Sequence, residues 1–224
     1  RFSLEAFNKK YYNYPVSVND MVSLANKGGD FEVLGNEDVS TSGRGKSYGI
    51  EFLYQQKLKN NFYGILSYTF FYSKFSGFDE VFLPSVWDNR NLISFTGGYK
   101  LKKNWEISSK LRFTDKTPYA PINNKLSSQS YPEIVFDYSQ LGNYYLDSFL
   151  KLDVRIDKRW NFKTTSMNFY IDIENLLLNE IPIPPEYGLE RDNNQNVILP
   201  WNLIEVESDN RNSIIPSIGF VFDF

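Results

Sequence analysis

Alternation of apolar and polar residues along the whole chain is the feature that most limits what this sequence can fold into. In residues 149–160 the even positions are mostly aliphatic or aromatic, whereas the odd positions are mostly charged. Such a period of two predicts β-strands with one apolar and one polar face. Eight segments of about 9–14 residues fit this interpretation, although residues 62–75 are apolar on both faces. They are residues 2–12, 48–58, 62–75, 91–101, 105–114, 149–160, 167–175 and 214–224.

The lengths of strands and connections favour a membrane protein. Globular strands cluster near 5–6 residues, whereas a tilted membrane strand needs about 9–11. Short polar turns at 59–61, 102–104 and 161–165 alternate with long irregular stretches near 13–45, 76–90, 115–147 and 178–212. This alternation is typical of bacterial outer-membrane barrels with short periplasmic turns and long extracellular loops. The first strand then runs outward, and the eighth ends at the periplasm.

The composition excludes several classes of function. The 224 residues contain no Cys and no His, which rules out disulfides, thiolate and imidazole metal sites, and Ser-His or Cys-His catalytic couples. A net charge of −3 argues against nucleic-acid binding. No run approaches the ~18 apolar residues of a membrane helix, but that test does not detect alternating barrel strands. We therefore expect no enzymatic activity and no cofactor.

Two short motifs suggest ligand sites and fail on inspection. Residues 43–47 read GRGKS, but a phosphate loop needs Gly where Ser40 stands and a helix afterwards, whereas a strand pattern follows. Residues 192–196 read DNNQN and are rich in oxygen ligands for calcium. They lack EF-hand spacing, so we interpret them as a solvated loop.

The two strand faces provide the candidate functional residues. If the apolar face meets lipid, the polar face lines an aqueous lumen, although a soluble sheet with a solvated face fits the same charges. Three aromatic residues at short-turn strand ends are expected membrane-interface anchors, or else part of a core cluster. These anchors are Trp105, Trp160 and Phe224. The expected lumen-facing charged ladder comprises Lys110, Arg112, Asp153, Arg155, Asp157, Asp172 and Glu174.

The long loops carry further aromatic residues that are candidates for ligand contact, because loops on a rigid scaffold usually carry recognition. Packing of these rings among the loops is the competing interpretation, and the one that we favour. The candidates are Tyr119, Tyr131, Tyr138, Tyr144, Tyr145, Tyr187 and Trp201.

Five segments together resemble the late barrel strands of TonB-dependent outer-membrane receptors. Asp115 departs from the family pattern, which usually has Gly there. The segments are SGRGKSYGIEFLYQQKL (42–58), FTDKTPYAP (113–121), LGNYYLDSFLKLDVRIDKRWNF (141–162), YIDIENLLLNE (170–180) and PSIGFVFDF (216–224), which ends in the Phe common to outer-membrane barrels.

The resemblance implies an all-β fold in which residues 1–224 form the C-terminal portion of a 22-stranded transmembrane β-barrel. Eight strands would be the last eight, since nothing here resembles the plug domain or the TonB-contacting segment. The implied function is energised uptake of a scarce nutrient across the bacterial outer membrane. Implied partners are outer-membrane lipid, the rest of the same receptor, TonB through the missing N-terminal part, and a surface lipoprotein. The Asn-, Lys-, Tyr- and Phe-rich composition looks like Bacteroidota examples, but the ending does not closely resemble the glycan-importing branch.

Two alternatives remain open at this stage. Eight strands can close a self-contained barrel with a structural or adhesive role. A secreted β-sandwich that binds carbohydrate through exposed aromatic rings is the second alternative. Burial of Trp105, Leu150, Leu152 and Phe222 under a second protein layer would favour the sandwich.

Overall fold

A computed structural model describes residues 1–27, 36–206 and 213–224, and it confirms the eight predicted strands. No helix in these ranges is long and apolar enough to cross a bilayer. The strands are β1 Phe2–Ser17, β2 Val39–Lys59, β3 Phe62–Ser76, β4 Phe82–Pro84, β5 Asn91–Lys100, β6 Trp105–Thr114, β7 Phe149–Asn161, β8 Ser166–Glu174, β9 Glu186–Leu189, β10 Leu203–Val206 and β11 Ile215–Asp223. The helices are α1 Leu24–Lys27 and α2 Asn124–Ser130, with single 3₁₀ turns at Lys102–Asn104 and Tyr138–Gln140.

One antiparallel sheet contains nine of these strands. Its order is β1-β2-β3-β5-β6-β7-β8-β11, and the short β4 pairs with the end of β3. Strands β9 and β10 form a separate two-stranded ribbon. Within the described residues β1 pairs only with β2 and β11 only with β8, so the sheet is open and presents two edges.

Two asparagines in left-handed backbone conformation form the tight turn between β2 and β3. Asn60 and Asn61 both have positive φ, at 51° and 67°, and they occupy the two positions between the strands. Two consecutive left-handed residues give a turn whose twist matches an antiparallel hairpin, and Asn tolerates that conformation. Lys103 and Asn104 repeat the pattern before β6, with φ of 61° and 58°.

The prediction that the four long connections are irregular was partly wrong. β1 continues to Ser17 and β2 begins at Val39, because Gly43 lets the two backbones approach closely: a Cβ there would lie 2.7 Å from the Tyr14 carbonyl oxygen. The Ser- and Gly-rich composition of residues 40–47 hid this extension. The other three stretches contain β4, α2 and the β9–β10 ribbon, while parts of the first and last, residues 28–35 and 207–212, lie outside the described residues.

The buried apolar side chains of the described chain lie at the long-loop end of the sheet. Segment 18–27 folds over this end, where the Asn26 side-chain amide donates to the Leu83 and Pro84 carbonyl oxygens at 3.1 and 2.8 Å. No large apolar residue in the middle of the sheet's apolar face is buried. The buried apolar residues are Val16, Ala25, Phe75, Leu141 and Leu203.

Candidate functional site

The register of the sheet aligns apolar side chains into rows that cross several strands. Ile107, Ile156 and Ile171 stand directly opposite one another on β6, β7 and β8, and Ile218 continues the row on β11. A second row crosses six strands and contains Phe2, Tyr54, Leu66, Phe95, Leu111 and Leu152. Because side chains alternate strictly between faces, these rows form one continuous apolar face.

This apolar face is not covered by a second layer of the described protein. Trp105 is 41% exposed and Phe222 is 61% exposed, while Leu150 and Leu152 are half-buried beside their neighbours on the same sheet. A soluble sandwich would bury such a face against another sheet. The exposed apolar patch is therefore the main candidate interaction surface of the chain.

The opposite face carries the predicted charged ladder, and the structure connects most of its members by ion pairs. Arg155 donates to both carboxylate oxygens of Asp157 at 2.8 and 2.9 Å, and its Nη1 lies 4.0 Å from Asp172. Lys151, which the prediction omitted, bridges Asp153 at 3.6 Å and Glu174 at 2.8 Å. These groups are half-buried to exposed, so their chemistry is that of a hydrated charged wall.

Lys110 and Arg112 make different contacts on the charged face. Lys110 stands directly opposite Asp153 in the register, but Arg112 forms the ion pair, with Nη2 3.6 Å from Asp153 Oδ2. The longer Arg side chain reaches diagonally across the strand pair. Lys110 is exposed on the same face.

The three predicted interface anchors lie on the apolar face at the short-turn end. Trp105 stands opposite Lys158, and the Lys158 Nζ lies 5.3 Å from the Trp105 ring centre and 5.5 Å from that of Trp160. Trp160 stands opposite Met167, which in turn pairs with Phe222, two residues before Phe224. Their role as membrane anchors stays a prediction.

Four of the seven predicted loop aromatics gather near one place. Tyr119 and Tyr144 contact each other edge to face, with ring centres 6.1 Å apart, and their backbones are hydrogen-bonded. Burial and the Glu205 carboxylate raise the pKa of Tyr119, and burial together with Tyr119 and Glu205 raises that of Tyr187. Tyr145 lies beside them in the wall of a cavity.

This cavity, of about 900 Å³, opens between the β6–β7 loop, the β8–β9 connection and β10. Four carboxylates line it, and no Lys or Arg does. Sequence reasoning missed these acids because they come from three separate segments with no shared motif. The acidic residues of the wall are Asp147, Glu180, Glu186 and Glu205.

The remaining loop aromatics lie elsewhere. Tyr131 and Trp201 contact each other edge to face, with ring centres 6.1 Å apart, and Trp201 lines a second cavity of about 570 Å³ beside α2. Tyr138 packs near Phe136. The seven candidates therefore divide among at least two places, and ring packing within the loops accounts for several contacts.

The two rejected motifs have structural explanations. Gly45 lies under the Phe75 ring, which an added Cβ would meet at 2.3 Å, so this glycine belongs to a strand and not to a phosphate loop. Asp192 accepts backbone hydrogen bonds from Asn194 and Asn196 at 2.8 and 2.9 Å, which closes a local turn. Among the described residues no group of three or more acidic residues is arranged to bind a metal ion.

Comparisons with known proteins support the fold. No family model matches the chain, and no curated protein matches it. Among solved structures it is similar to the ferripyoverdine receptor of the outer membrane of Pseudomonas aeruginosa bound to ferripyoverdine, with a TM-score of 0.53 and 15% identity. The likeness covers 80% of this chain but only 21% of the receptor chain. The likeness shows the fold, an antiparallel sheet with the architecture of part of that receptor's β-barrel.

Proposed function

We propose that this chain is part of a TonB-dependent outer-membrane transporter that takes up a scarce nutrient. The observation that carries the proposal is an open antiparallel sheet with an uncovered apolar face and a charged opposite face. Lipid is the solvent that satisfies such a face, and a closed barrel is the structure that satisfies its hydrogen bonds. Likeness to an outer-membrane receptor supports the same interpretation.

The open edges favour a larger barrel over a self-contained one. β1 and β11 each have unpaired backbone groups along one side, and in lipid each unpaired group costs several kcal/mol. Further strands of the same receptor would pair with both edges. Within the described residues β1 and β11 do not pair, which speaks against an eight-stranded barrel with a structural or adhesive role, and the uncovered apolar face speaks against a sandwich.

The charged ladder would face the lumen, where it meets water or an internal plug domain. Lys151, Arg155 and their carboxylate partners are already paired with one another, so this wall is electrostatically balanced. Ligand recognition is assigned in this proposal to the loops, where the Tyr119 cavity offers a concave surface of about 900 Å³. Bacterial outer-membrane localisation, TonB as the energy source and a Bacteroidota-like origin belong to the same proposal.

Site-directed spin labelling tests the membrane arrangement, and the absence of native Cys in this chain makes single labels simple to place. Adjacent positions Ile171→Cys and Asp172→Cys would carry the label on opposite faces of β8 in the full-length protein, reconstituted in lipid vesicles. Oxygen, which concentrates in lipid, should relax the label at 171, whereas a water-soluble nickel chelate should relax the label at 172. Equal chelate access at both positions would contradict the proposal.

Energised uptake is tested genetically in the source bacterium. An in-frame deletion of the gene should slow growth under limitation of one nutrient, and a deletion of the TonB gene should produce a defect that is not increased by combining the two. A defect that adds to that of the TonB deletion would overturn the TonB-dependent part of the proposal.

A further inference from the structure

The charged side chains on the apolar face of the main sheet are basic within the described residues, Arg44 among them, and three lysines form a row. Lys10 on β1 stands directly opposite Lys46 on β2, which stands directly opposite Lys74 on β3. Residues two positions apart on a strand lie on the same face, so Asn8, Tyr48 and Tyr72 are the same-face neighbours of Lys10, Lys46 and Lys74, respectively. Like charges directly opposite on neighbouring strands repel each other, so an anion bound between these lysines would stabilise the row.

The described residues do not supply that anion. None of the three lysines forms an ion pair with a carboxylate in the described part of the chain. Buried Asp88 interacts electrostatically with Lys74, but its oxygens accept from the Ser73 backbone amide at 2.8 Å and from Arg90 at 3.2 Å. Arg90, which is ion-paired with Asp88 at 3.1 Å, also lies beside the row.

Aromatic rings contact two of these cations, Lys46 and Arg90. Tyr48 and Tyr72 are stacked with ring centres 5.2 Å apart, immediately toward the middle of the sheet from the lysine row. The Arg90 guanidinium lies 4.1 Å from the Tyr72 ring centre, and the Lys46 ammonium lies 4.4 Å from that of Phe82. Tyrosine rings below cations are the arrangement expected where hydrocarbon gives way to lipid headgroups.

The position of the lysine row along the strands agrees with the level of the lipid headgroups. Apolar or amide side chains occupy the outward positions of β2 from Leu58 to Tyr48, ten residues apart. At a rise of ~3.3 Å per residue and a tilt near 40°, that segment spans roughly 25 Å, the height of the apolar band of an outer-membrane barrel. Lys46 is the next outward residue, at the long-loop edge of the band.

From this geometry we infer that Lys10, Lys46 and Lys74, together with Arg90, bind the phosphate of a lipid headgroup in the leaflet nearest the long loops. The inference rests on the proposed function, because it requires the apolar face to meet lipid. The acyl chains of the bound lipid would lie along the apolar face below Tyr48 and Tyr72, and its phosphate would supply the missing negative charge. Charge complementarity and continuity with the apolar face identify a lipid as the occupant.

The test uses the full-length receptor in detergent micelles, with diphosphoryl lipid A as the probe and retained lipid counted by native mass spectrometry. Replacing Lys10, Lys46 and Lys74 together by Gln should weaken binding roughly 100-fold, since each basic residue near a charged lipid surface contributes about a factor of five. The matched triple Lys→Arg variant keeps the charges and should bind as the wild type does. A control replaces Lys57, Lys100 and Lys102 by Gln at the short-turn end, and it should also bind normally.

The outcomes separate the inference from the proposed function. Equal binding by wild type and the K10Q/K46Q/K74Q variant would overturn the lipid site, as would competition by millimolar inorganic phosphate, which indicates a site for free anions. The spin label at position 171 is read in parallel on the same variants reconstituted in lipid vesicles. A label inaccessible to oxygen would overturn the proposed function, whereas a lipid-exposed label with unchanged lipid A binding would overturn only the present inference.

Discussion

Arg155 and Asp172 stand directly opposite each other on β7 and β8, yet Arg155 makes its shorter contacts with Asp157 on its own strand. Two hydrogen bonds of 2.8 and 2.9 Å join Arg155 to Asp157, whereas 4.0 Å separates it from Asp172. Asn168 also donates to Asp157 at 2.8 Å, and the Arg155 guanidinium lies 3.8 Å from the Tyr170 ring centre. The guanidinium therefore belongs to a local network on the charged face.

Double-mutant cycles should rank these two contacts. We expect a coupling free energy of about 0.5–1 kcal/mol for Arg155 with Asp157, and about 0.2 kcal/mol for Arg155 with Asp172, because bidentate geometry favours the first pair and water screens both. Alanine substitutions in the full-length protein, unfolded by urea from lipid vesicles, provide the measurement. A larger coupling for the Asp172 pair would show that the side chain turns toward the neighbouring strand in the assembled barrel.

The same added charge should destabilise the protein strongly on one face of β3 and hardly at all on the other. Leu66 belongs to the apolar row near the middle of the sheet, and Ser67 lies on the opposite face between Leu53 and Ser94. Leu66→Arg should lower the free energy of unfolding by about 2–4 kcal/mol, the cost of an arginine at the lipid midplane of a barrel.

Ser67→Arg provides the matched control, since the adjacent residue receives the same side chain on the opposite face of the sheet. Its effect should stay within about 0.5 kcal/mol, as is usual for surface substitutions. Urea unfolding from vesicles compares the two variants. Similar losses for both would contradict the assignment of the faces.

The strands and their faces could be predicted from the sequence because alternation survives wherever one side of a strand is apolar. The stretch from Leu150 to Ile156 shows this directly, and its pairing with β8 follows from the short turn that joins them, whereas a long loop separates it from its other neighbour, β6. The β9–β10 ribbon was missed because four-residue strands such as Glu186–Leu189 carry too few alternations to be recognised. The extension of β2 was missed because small polar residues replace the apolar ones there.

The candidate sites were less predictable because they depend on register. Lys10, Lys46 and Lys74 are unremarkable in the sequence, and only the pairing of three strands brings them into one row. Glu205 acts electrostatically on Tyr119 only because two long loops fold against each other, and no local sequence pattern specifies that arrangement. The charged ladder was the exception, since its members already alternate along single strands.

Lys27 should control the folding of the segment over the long-loop end. Its ammonium lies 2.6 Å from Asp20 and 2.5 Å from Glu37, and Glu37 also accepts a hydrogen bond from Ser17. Lys27→Met would leave two partly buried carboxylates without a cation, which costs about 1–3 kcal/mol. Hydrogen exchange of residues 16–27 should therefore accelerate, whereas the exposed control Lys163→Met should leave it unchanged. Unchanged protection in the Lys27 variant would show that the ion pairs contribute nothing there.

The ion pairs of Lys27 with Asp20 and Glu37 should weaken in acid. Burial alone would raise the pKa of Glu37, but hydrogen bonds from Lys27 and Ser17 outweigh it and keep the pKa below the ordinary value of 4.5. A group with a lowered native pKa contributes stability above its ordinary pKa and loses it as the pH falls through the native value. Protection of residues 16–27 should therefore be constant from about pH 6 to 8 and fall below about pH 4.5. Glu37→Gln should abolish that acid step, and an acid step that persists in this variant would assign the effect to another carboxylate.

Glu205 should control the ionisation of the loop tyrosines. Burial and the neighbouring Glu205 carboxylate raise the pKa of Tyr119 above its ordinary value of 10.0, so the stability gained from the neutral phenol is complete below pH 10 and is lost above it. Glu205→Gln removes a negative charge and should move the tyrosinate absorbance change toward lower pH. The same substitution in a Tyr119→Phe/Tyr187→Phe background should have little effect, and Glu133→Gln, an exposed carboxylate elsewhere in the loops, should have none. A full shift in the double Phe background would mean that Glu205 acts on other tyrosines.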